Sequence, residues 1–322
     1  MSLPLTPLVM VLVALALLCP WAAVPAARRL AELLPPRAAA LTLAGAAGAL
    51  AGGTVLALGV LVGGGLLHHP ALAADGRMSL PWVVSTSPAA VPVAAGAGLA
   101  LLVVAGCAAR LWHRQRALLA RTWRSVEPHP VGGDLTVLPE GPADAFALPG
   151  HAGRAGRVVV TAAMLRALDR GERDVLLAHE RAHLAGRHHL LARTAQLAAA
   201  THPALRGLRP ALSFHLERWA DEDAAATVGS RRLAATAVAR AALAAAGPGR
   251  PPSLLLAVDT GPVPRRVDAL LGPVPRAPRR RTGWLLAGGL LAVVVLSLTL
   301  SLGSAYGLHE YVEQAQEVSR IR

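Results

Sequence analysis

Residues 174–183 read DVLLAHERAH, a pattern that suits one face of a helix. Because residues four apart lie on the same face, His179 and His183 can bind one Zn²⁺, while Glu180 lies beside the ion and can activate a water. Asp169, followed three residues later by an acid, has the pattern of a capping box at a helix start. The stretch therefore predicts a helix carrying part of a zinc site. The alternative is a helical face with two ordinary histidines.

A second pair of spaced acidic side chains, Glu217 and Asp221, lies downstream on another predicted helix. A catalytic zinc site needs a third protein ligand and leaves a fourth position open for water and substrate. Glu217 suits the ligand role, and Asp221 can accept a hydrogen bond from the nitrogen of a zinc histidine that does not bind the ion. The alternative is a solvated acidic patch formed together with Glu222 and Asp223.

The composition excludes an ordinary soluble enzyme. The chain has 322 residues, of which 54% are hydrophobic and 16% are charged, whereas soluble domains carry about 25% charged residues. The mean hydropathy is +0.46. A disordered chain is excluded as well, since it would be poor in apolar residues. The composition predicts a membrane protein.

Four apolar stretches are long enough to cross a bilayer, for which about 20 residues are needed. They are Pro4–Ala27, Ala38–Leu67, Val91–Ala109 and Gly283–Gly303. The first has no basic residues before its apolar core, unlike a signal peptide, and we interpret it as a true span. The sequence therefore predicts a protein with four transmembrane helices in a lipid bilayer.

The arginines predict the orientation of these spans. Residues 113–282 hold 25 Arg and 14 acidic residues, and basic residues favour the cytoplasmic side. We therefore expect a three-span membrane region over 1–112, a cytosolic domain over 113–282, a fourth transmembrane helix over 283–303 and a short external tail over 304–322. The N-terminus is expected outside the cell membrane.

The segment between the third and fourth spans is predicted to be an α+β domain. Short apolar runs at Leu135–Leu138, Ala145–Leu148 and Arg157–Thr161 are typical of strands. Helical periodicity dominates residues 162–246. The Pro- and Arg-rich stretch Gly247–Arg281 is predicted to be a linker back to the membrane. The fold class is thus a mainly α membrane protein with an inserted α+β domain.

With the strand-like run before them, the two motifs resemble integral-membrane zinc peptidases of the gluzincin type. Two relatives share this resemblance, the BlaR/MecR-type antirepressor metallopeptidases and the HtpX/Ste24-type proteases. Three spans before the zinc helix and one after it are more similar to the BlaR/MecR arrangement. Those receptors continue after the last span into an external penicillin-binding domain, whereas 19 residues follow residue 303 here, so we expect no β-lactam sensor domain.

The resemblance implies a zinc metalloendopeptidase. His179, His183 and Glu217 would bind Zn²⁺, Glu180 would be the catalytic base, and Asp221 would support a zinc ligand. The substrate would lie extended along an exposed edge strand, for which Val158, Val159 and Val160 are the candidate residues.

Three functions remain open. The first is signal transduction by cleavage of a cytosolic repressor, such as a BlaI/MecI-type winged-helix protein, or of the protease itself. The second is HtpX-like quality control of membrane proteins. The third is a non-catalytic membrane scaffold with a structural zinc site, which the intact Glu180 disfavours. No direct binding of nucleic acid is expected, since an Arg excess in a membrane protein is typical of its cytoplasmic side.

Overall fold

Helices make up most of this chain in the computed structural model, which describes residues 5–246, 262–274 and 281–321. The first five helices are α1 (Leu5–Leu33), α2 (Pro36–Leu66), α3 (Pro70–Asp75), α4 (Leu80–Thr86) and α5 (Ala90–Val126). The strands are β1 (Val131–Gly132), β2 (Leu135–Leu138), β3 (Ala145–Leu148) and β4 (Arg157–Thr161). The later helices are α6 (Ala162–Ala167), α7 (Arg170–Ala185), α8 (His188–Thr201), α9 (Leu208–Val228), α10 (Arg231–Ala246), α11 (Pro262–Leu271) and α12 (Arg281–Ile321), with a 3-10 turn at Pro203–Gly207.

Four helices of the described residues are long and apolar enough to cross a membrane. They are Pro7–Leu33, Pro36–Leu66, Ala90–Val126 and Leu285–Ile321. They correspond to the four predicted spans, but α5 and α12 both continue well beyond the predicted ends. The predicted tail 304–322 is helical up to Ile321. It contains no proline to end the helix, and its Tyr311 and Ala315 pack on Ala73, Met78 and Val83 from the connection between α2 and α5.

The apolar helices and the inserted domain share a core. Leu43 and Leu50 of α2 are fully buried in one cluster with Leu205, Leu212 and Trp219, which lie in or beside α9. Small residues allow this close approach: a Cβ on Gly48 would lie 3.3 Å from the Thr194 side chain of α8. The domain is therefore packed directly on α1 and α2 rather than connected to them only through loops.

The sheet has the strand order β1-β2-β4-β3. Strand β4 pairs in parallel with β2 and antiparallel with β3, and its Val158, Val159 and Val160 are fully buried. The prediction that these valines form the edge strand is therefore wrong. A continuous run of valines is typical of a strand covered on both faces. The edge next to α7 belongs to β3, which pairs only with β4 among the described residues.

Part of the predicted linker is a helix. Of the stretch Gly247–Arg281, residues 247–261 and 275–280 lie outside the described residues, but α11 is helical and packs on α9 and α10. Its apolar residues recur at helical spacing, and Leu270 is buried with Val175 of α7 and Ala234 of α10. The linker prediction is wrong for Pro262–Leu271. The prolines and arginines of this segment indicated a linker, although its apolar residues have the spacing of a short amphipathic helix.

Candidate metal centre

Helix α7 begins at a complete capping box. The Asp169 side chain accepts a hydrogen bond from the Glu172 backbone N–H, and the Glu172 carboxylate accepts one from the Asp169 N–H, both at 2.9 Å. Val175 and Leu176 then pack into the apolar clusters beneath the helix. This arrangement buries His179 and Glu180 and leaves His183 partly buried, whereas Arg181 is exposed.

His179 and His183 of α7 meet Glu217 of α9 at one point. The two histidine Nε2 atoms are 3.1 Å apart. Glu217 Oε2 lies 3.5 Å from His179 Nε2, and Glu217 Oε1 lies 3.4 Å from His183 Nε2. Zinc–nitrogen bonds of about 2.0–2.1 Å in a tetrahedron place neighbouring ligand atoms about 3.3 Å apart. The three side chains are therefore spaced as ligands of one zinc ion, and two imidazoles with a carboxylate are a donor set that suits zinc.

Asp221 is fully buried behind His179, one turn after Glu217. Its Oδ1 lies 3.1 Å from His179 Nδ1, although the ring N–H is not aligned for a regular hydrogen bond. The contact favours the tautomer with the proton on Nδ1, which leaves Nε2 free to bind a metal. The structure thus places Asp221 where the sequence predicted a supporting residue.

Arg266 of α11 is a site residue that the sequence analysis did not identify. Its Nε and Nη2 bind the Asp221 carboxylate at 2.8 and 2.6 Å, and its Nη1 lies 3.0 Å from Glu217 Oε2. One guanidinium therefore balances two carboxylates in a poorly solvated place, where a bidentate pair is strong. The helical spacing of apolar residues could have predicted helix α11, which carries Arg266. No sequence pattern, however, indicated that this helix contacts α9.

His188 is a second residue that the sequence analysis assigned no role. Its Nδ1 lies 2.7 Å from His183 Nδ1, and its ring packs on Trp219 with the ring centroids 4.5 Å apart. Arg187 has a left-handed backbone (φ 49°), so α8 turns back and its first residue reaches α7. A Cβ on Gly186 would lie 2.5 Å from His188 Nε2, so this approach requires glycine at position 186.

Glu180 lies between the metal ligands and strand β3. Burial raises the pKa of its carboxyl, while His179 and the backbone N–H of Ala147 in β3 act in the opposite direction. It borders a cavity of about 190 Å³. The apolar part of this cavity, called the apolar cavity below, is lined by Met164, Val175, Leu176, Ala237, Val238, Ala241, Ala242, Ala245 and Val263.

The electrostatics of the site favour positive charge between the ligands. Burial opposes the charged form of His179, but its contacts with Asp221 and Glu217 outweigh burial and raise its pKa to about 9. Burial raises the pKa of the Glu217 carboxyl, but the interactions with His179 and Arg266 outweigh it and lower the pKa to about 2. Burial and the charge on His179 lower the pKa of His183 to about 4. The site thus keeps Glu217 ionised and His183 neutral, the forms that bind a metal ion.

One family of known proteins is similar to part of this chain. Residues 127–205 match the family model described as Peptidase family M48. The match contains the four strands and the motif helix α7, and it ends before Glu217. Neither the curated proteins nor the solved structures give a significant match to the chain. The segment that carries His179, Glu180 and His183 is therefore similar to a family of zinc metallopeptidases, and nothing in this match selects the BlaR/MecR type.

Proposed function

We propose that this chain is a membrane-bound zinc-dependent endopeptidase. The observation that carries the proposal is the convergence of His179, His183 and Glu217, whose ligand atoms all lie within 4.8 Å of one another, with Glu180 next to them. The similarity of residues 127–205 to a metallopeptidase family supports it. The four apolar helices support an attachment to the membrane.

In the proposed mechanism, Glu180 is the general base. His179, His183 and Glu217 would hold Zn²⁺, which would supply Lewis acidity and make a nearby water easier to deprotonate. Glu180 accepts the proton of the attacking water and passes it to the leaving amine. Burial supports this role because it raises the pKa of the Glu180 carboxyl towards the range in which a group both accepts and releases a proton.

Strand β3 is the proposed substrate-binding edge, in place of Val158–Val160. Phe146 pairs with Val159 of β4, and the backbone groups of Ala145 and Ala147 alternate with those that bind β4. They are therefore directed away from β4, towards the Glu180 side. A substrate adding one strand here would pass Glu180 in an extended conformation. A substrate side chain next to the scissile bond would enter the apolar cavity, whose lining suits an apolar residue.

For the substrate itself, we propose a cytosolic repressor of the BlaI/MecI type or the protease's own chain. The arginine excess of residues 113–282 supports a cytoplasmic site. Quality control of membrane proteins is a second candidate, and one observation favours it: α2 packs directly on α8 and α9, so the metal centre lies close to the apolar helices. A neighbouring gene for a small winged-helix repressor would favour the first candidate.

Replacing Glu180 by Gln tests the hydrolytic mechanism. The change removes the proton acceptor but not a ligand, so we expect unchanged zinc content and a loss of cleavage of at least about 100-fold, in line with general-base catalysis. Purified full-length protein would be compared by metal analysis and by digestion of a peptide library. Asp174→Asn, an exposed change on the same helix, is the control. Equal cleavage by Glu180→Gln and the parent would refute the mechanism.

A further inference from the structure

A second cavity, of about 500 Å³, opens beside the metal centre between α8 and α9. His183 and Glu217 line it, and its other polar side chains are His188, His189, Gln196, Arg206 and Arg209, together with Ser213. We call it the basic cleft. We propose that the basic cleft binds a carboxylate side chain of the peptide substrate, two or three residues from the bond that is cleaved. This inference rests on the proposed endopeptidase function.

The spacing of residues on α9 gives the distance from the metal centre. Arg209, Ser213 and Glu217 are four residues apart and lie on one face of the helix. Eight residues of helix correspond to about 12 Å, and the long arginine side chain covers part of that distance. An extended peptide advances about 3.3 Å per residue. A carboxylate bound by Arg209 therefore belongs to a residue two or three positions from the scissile bond.

The two arginines of the basic cleft, Arg206 and Arg209, are exposed and have no carboxylate partner among the residues that the structure describes. The carboxylate of Glu217 is already paired with Arg266. A concave surface of one sign concentrates its field on a ligand of the opposite sign, and guanidinium groups match a carboxylate in geometry.

The two cavities have different chemistry and share Glu217. The apolar cavity lies on the Glu180 and α10 side, whereas the basic cleft lies on the His183 and α8 side. A chain passing the metal centre would thus place an apolar residue on one side of the scissile bond and an acidic residue on the other. Because the candidate ligands His183 and Glu217 line the basic cleft, its occupant lies at the reacting centre, which favours a substrate side chain over a lipid headgroup.

The first test measures specificity with zinc-loaded full-length protein in detergent. Parent, Arg209→Glu and Arg206→Glu would digest a peptide library, and cleavage sites would be read by mass spectrometry. We expect the parent to prefer Asp or Glu two or three residues from the cut. Arg209→Glu should lower kcat/KM for those peptides about tenfold and favour Lys or Arg there, since like charges repel. Arg232→Glu, an exposed charge reversal on α10, should change nothing.

The second test does not depend on peptidase activity. A cysteine would replace Ser213, which is exposed in the basic cleft, in a background without Cys19 and Cys107. We expect an anionic methanethiosulfonate reagent to react faster than a cationic one of similar size. Adding Arg209→Glu should reverse this ratio, and adding Arg232→Glu should not. Equal rates in the parent would overturn the proposal.

The outcomes separate this inference from the proposed function. If no peptide is cut by the parent, the endopeptidase function fails, and the reagent ratio still decides whether the cleft selects anions. Cleavage without a preference for acidic residues overturns the inference and leaves the peptidase intact. If Arg209→Glu changes only the binding of phosphatidylglycerol vesicles relative to phosphatidylcholine vesicles, the cleft binds lipid and the inference is also overturned.

Discussion

The metal centre depends at the residue scale on groups that do not themselves reach the ion position. His179 is backed by Asp221, and Asp221 is bound by Arg266. His183 is backed by His188 through its Nδ1. Each candidate histidine ligand therefore has a partner on its other ring nitrogen, which fixes the orientation and tautomer of a ligand before it binds.

Measurements of zinc affinity should distinguish Glu217, the candidate ligand, from Asp221, the residue that supports His179. We expect Glu217→Ala to lose most of its bound zinc and Asp221→Asn to bind zinc about 10–100-fold more weakly, as is typical when a partner of a ligand is lost. The measurement is competition with a chelator of known affinity. Asp223→Ala, an exposed acid on the same helix, is the control. Equal zinc retention by Glu217→Ala and Asp223→Ala would mean that another side chain is the third ligand.

His188 should matter for the metal more than for the fold. His188→Phe keeps an aromatic ring against Trp219 but removes the acceptor at His183 Nδ1. We therefore expect zinc affinity to fall about 10–100-fold while the thermal unfolding of the metal-free protein changes little. His189→Phe, at the neighbouring position, is the comparison. A zinc affinity equal to that of the parent in His188→Phe would assign His188 to packing alone.

At the scale of elements, α11 completes the site across a long separation in sequence. It brings one buried cation to two carboxylates of α9 and is held there by Leu270. The helices α7 and α9 supply the candidate ligands, while β3 supplies the edge beside Glu180. With His188 at the start of α8, the site is therefore assembled from five elements, and only α7 and α9 carry residues that the sequence analysis assigned to it.

Removing the charge of Arg266 should destabilise the metal-free protein more than the zinc-loaded one. Arg266→Gln leaves Asp221 buried without its cation, and breaking a buried pair costs about 3–5 kcal/mol. Bound zinc would restore positive charge nearby and reduce the difference. Denaturation of both forms checks this. Arg265→Gln is the matched control on the same helix, because Arg265 lies over the Phe214 ring at 4.3 Å. Equal losses in the two metal states would argue against charge balance as the role of Arg266.

At the scale of the whole molecule, the domain and the apolar helices form a continuous structure. The cluster that joins α2 to α9 also contains Ala23 and Leu30 of α1. The C-terminal part of α12 packs on α3 and α4. There the Ser79 N–H donates a hydrogen bond to the Ala315 carbonyl at 2.9 Å. A displacement of α12 or of the connection 67–89 would therefore act on helices that contact the inserted domain.

The membrane orientation is testable with single cysteines at exposed serines. In a background without Cys19 and Cys107, we expect an impermeant thiol reagent to label Ser85→Cys and Ser319→Cys in intact cells. Ser213→Cys should be labelled only after lysis. The arginine excess of residues 113–282 is the physical reason. Labelling of position 213 in intact cells would invert the topology and exclude a cytosolic repressor as substrate.

The sequence by itself determined the features that depend on local periodicity and composition. The helical spacing of His179 and His183, the capping box at Asp169 and the four apolar helices are of this kind, because each is specified by residues close together in the chain. Only the tertiary structure decided that β4 is central, that β3 is the edge, and that Arg266 and His188 join the site. The pairing of the strands and the position of Arg266 depend on contacts between distant segments, because the burial of a strand or the partner of a charge is set by what packs against it. His188 reaches His183, five residues before it, because the left-handed backbone at Arg187 turns α8 back onto α7.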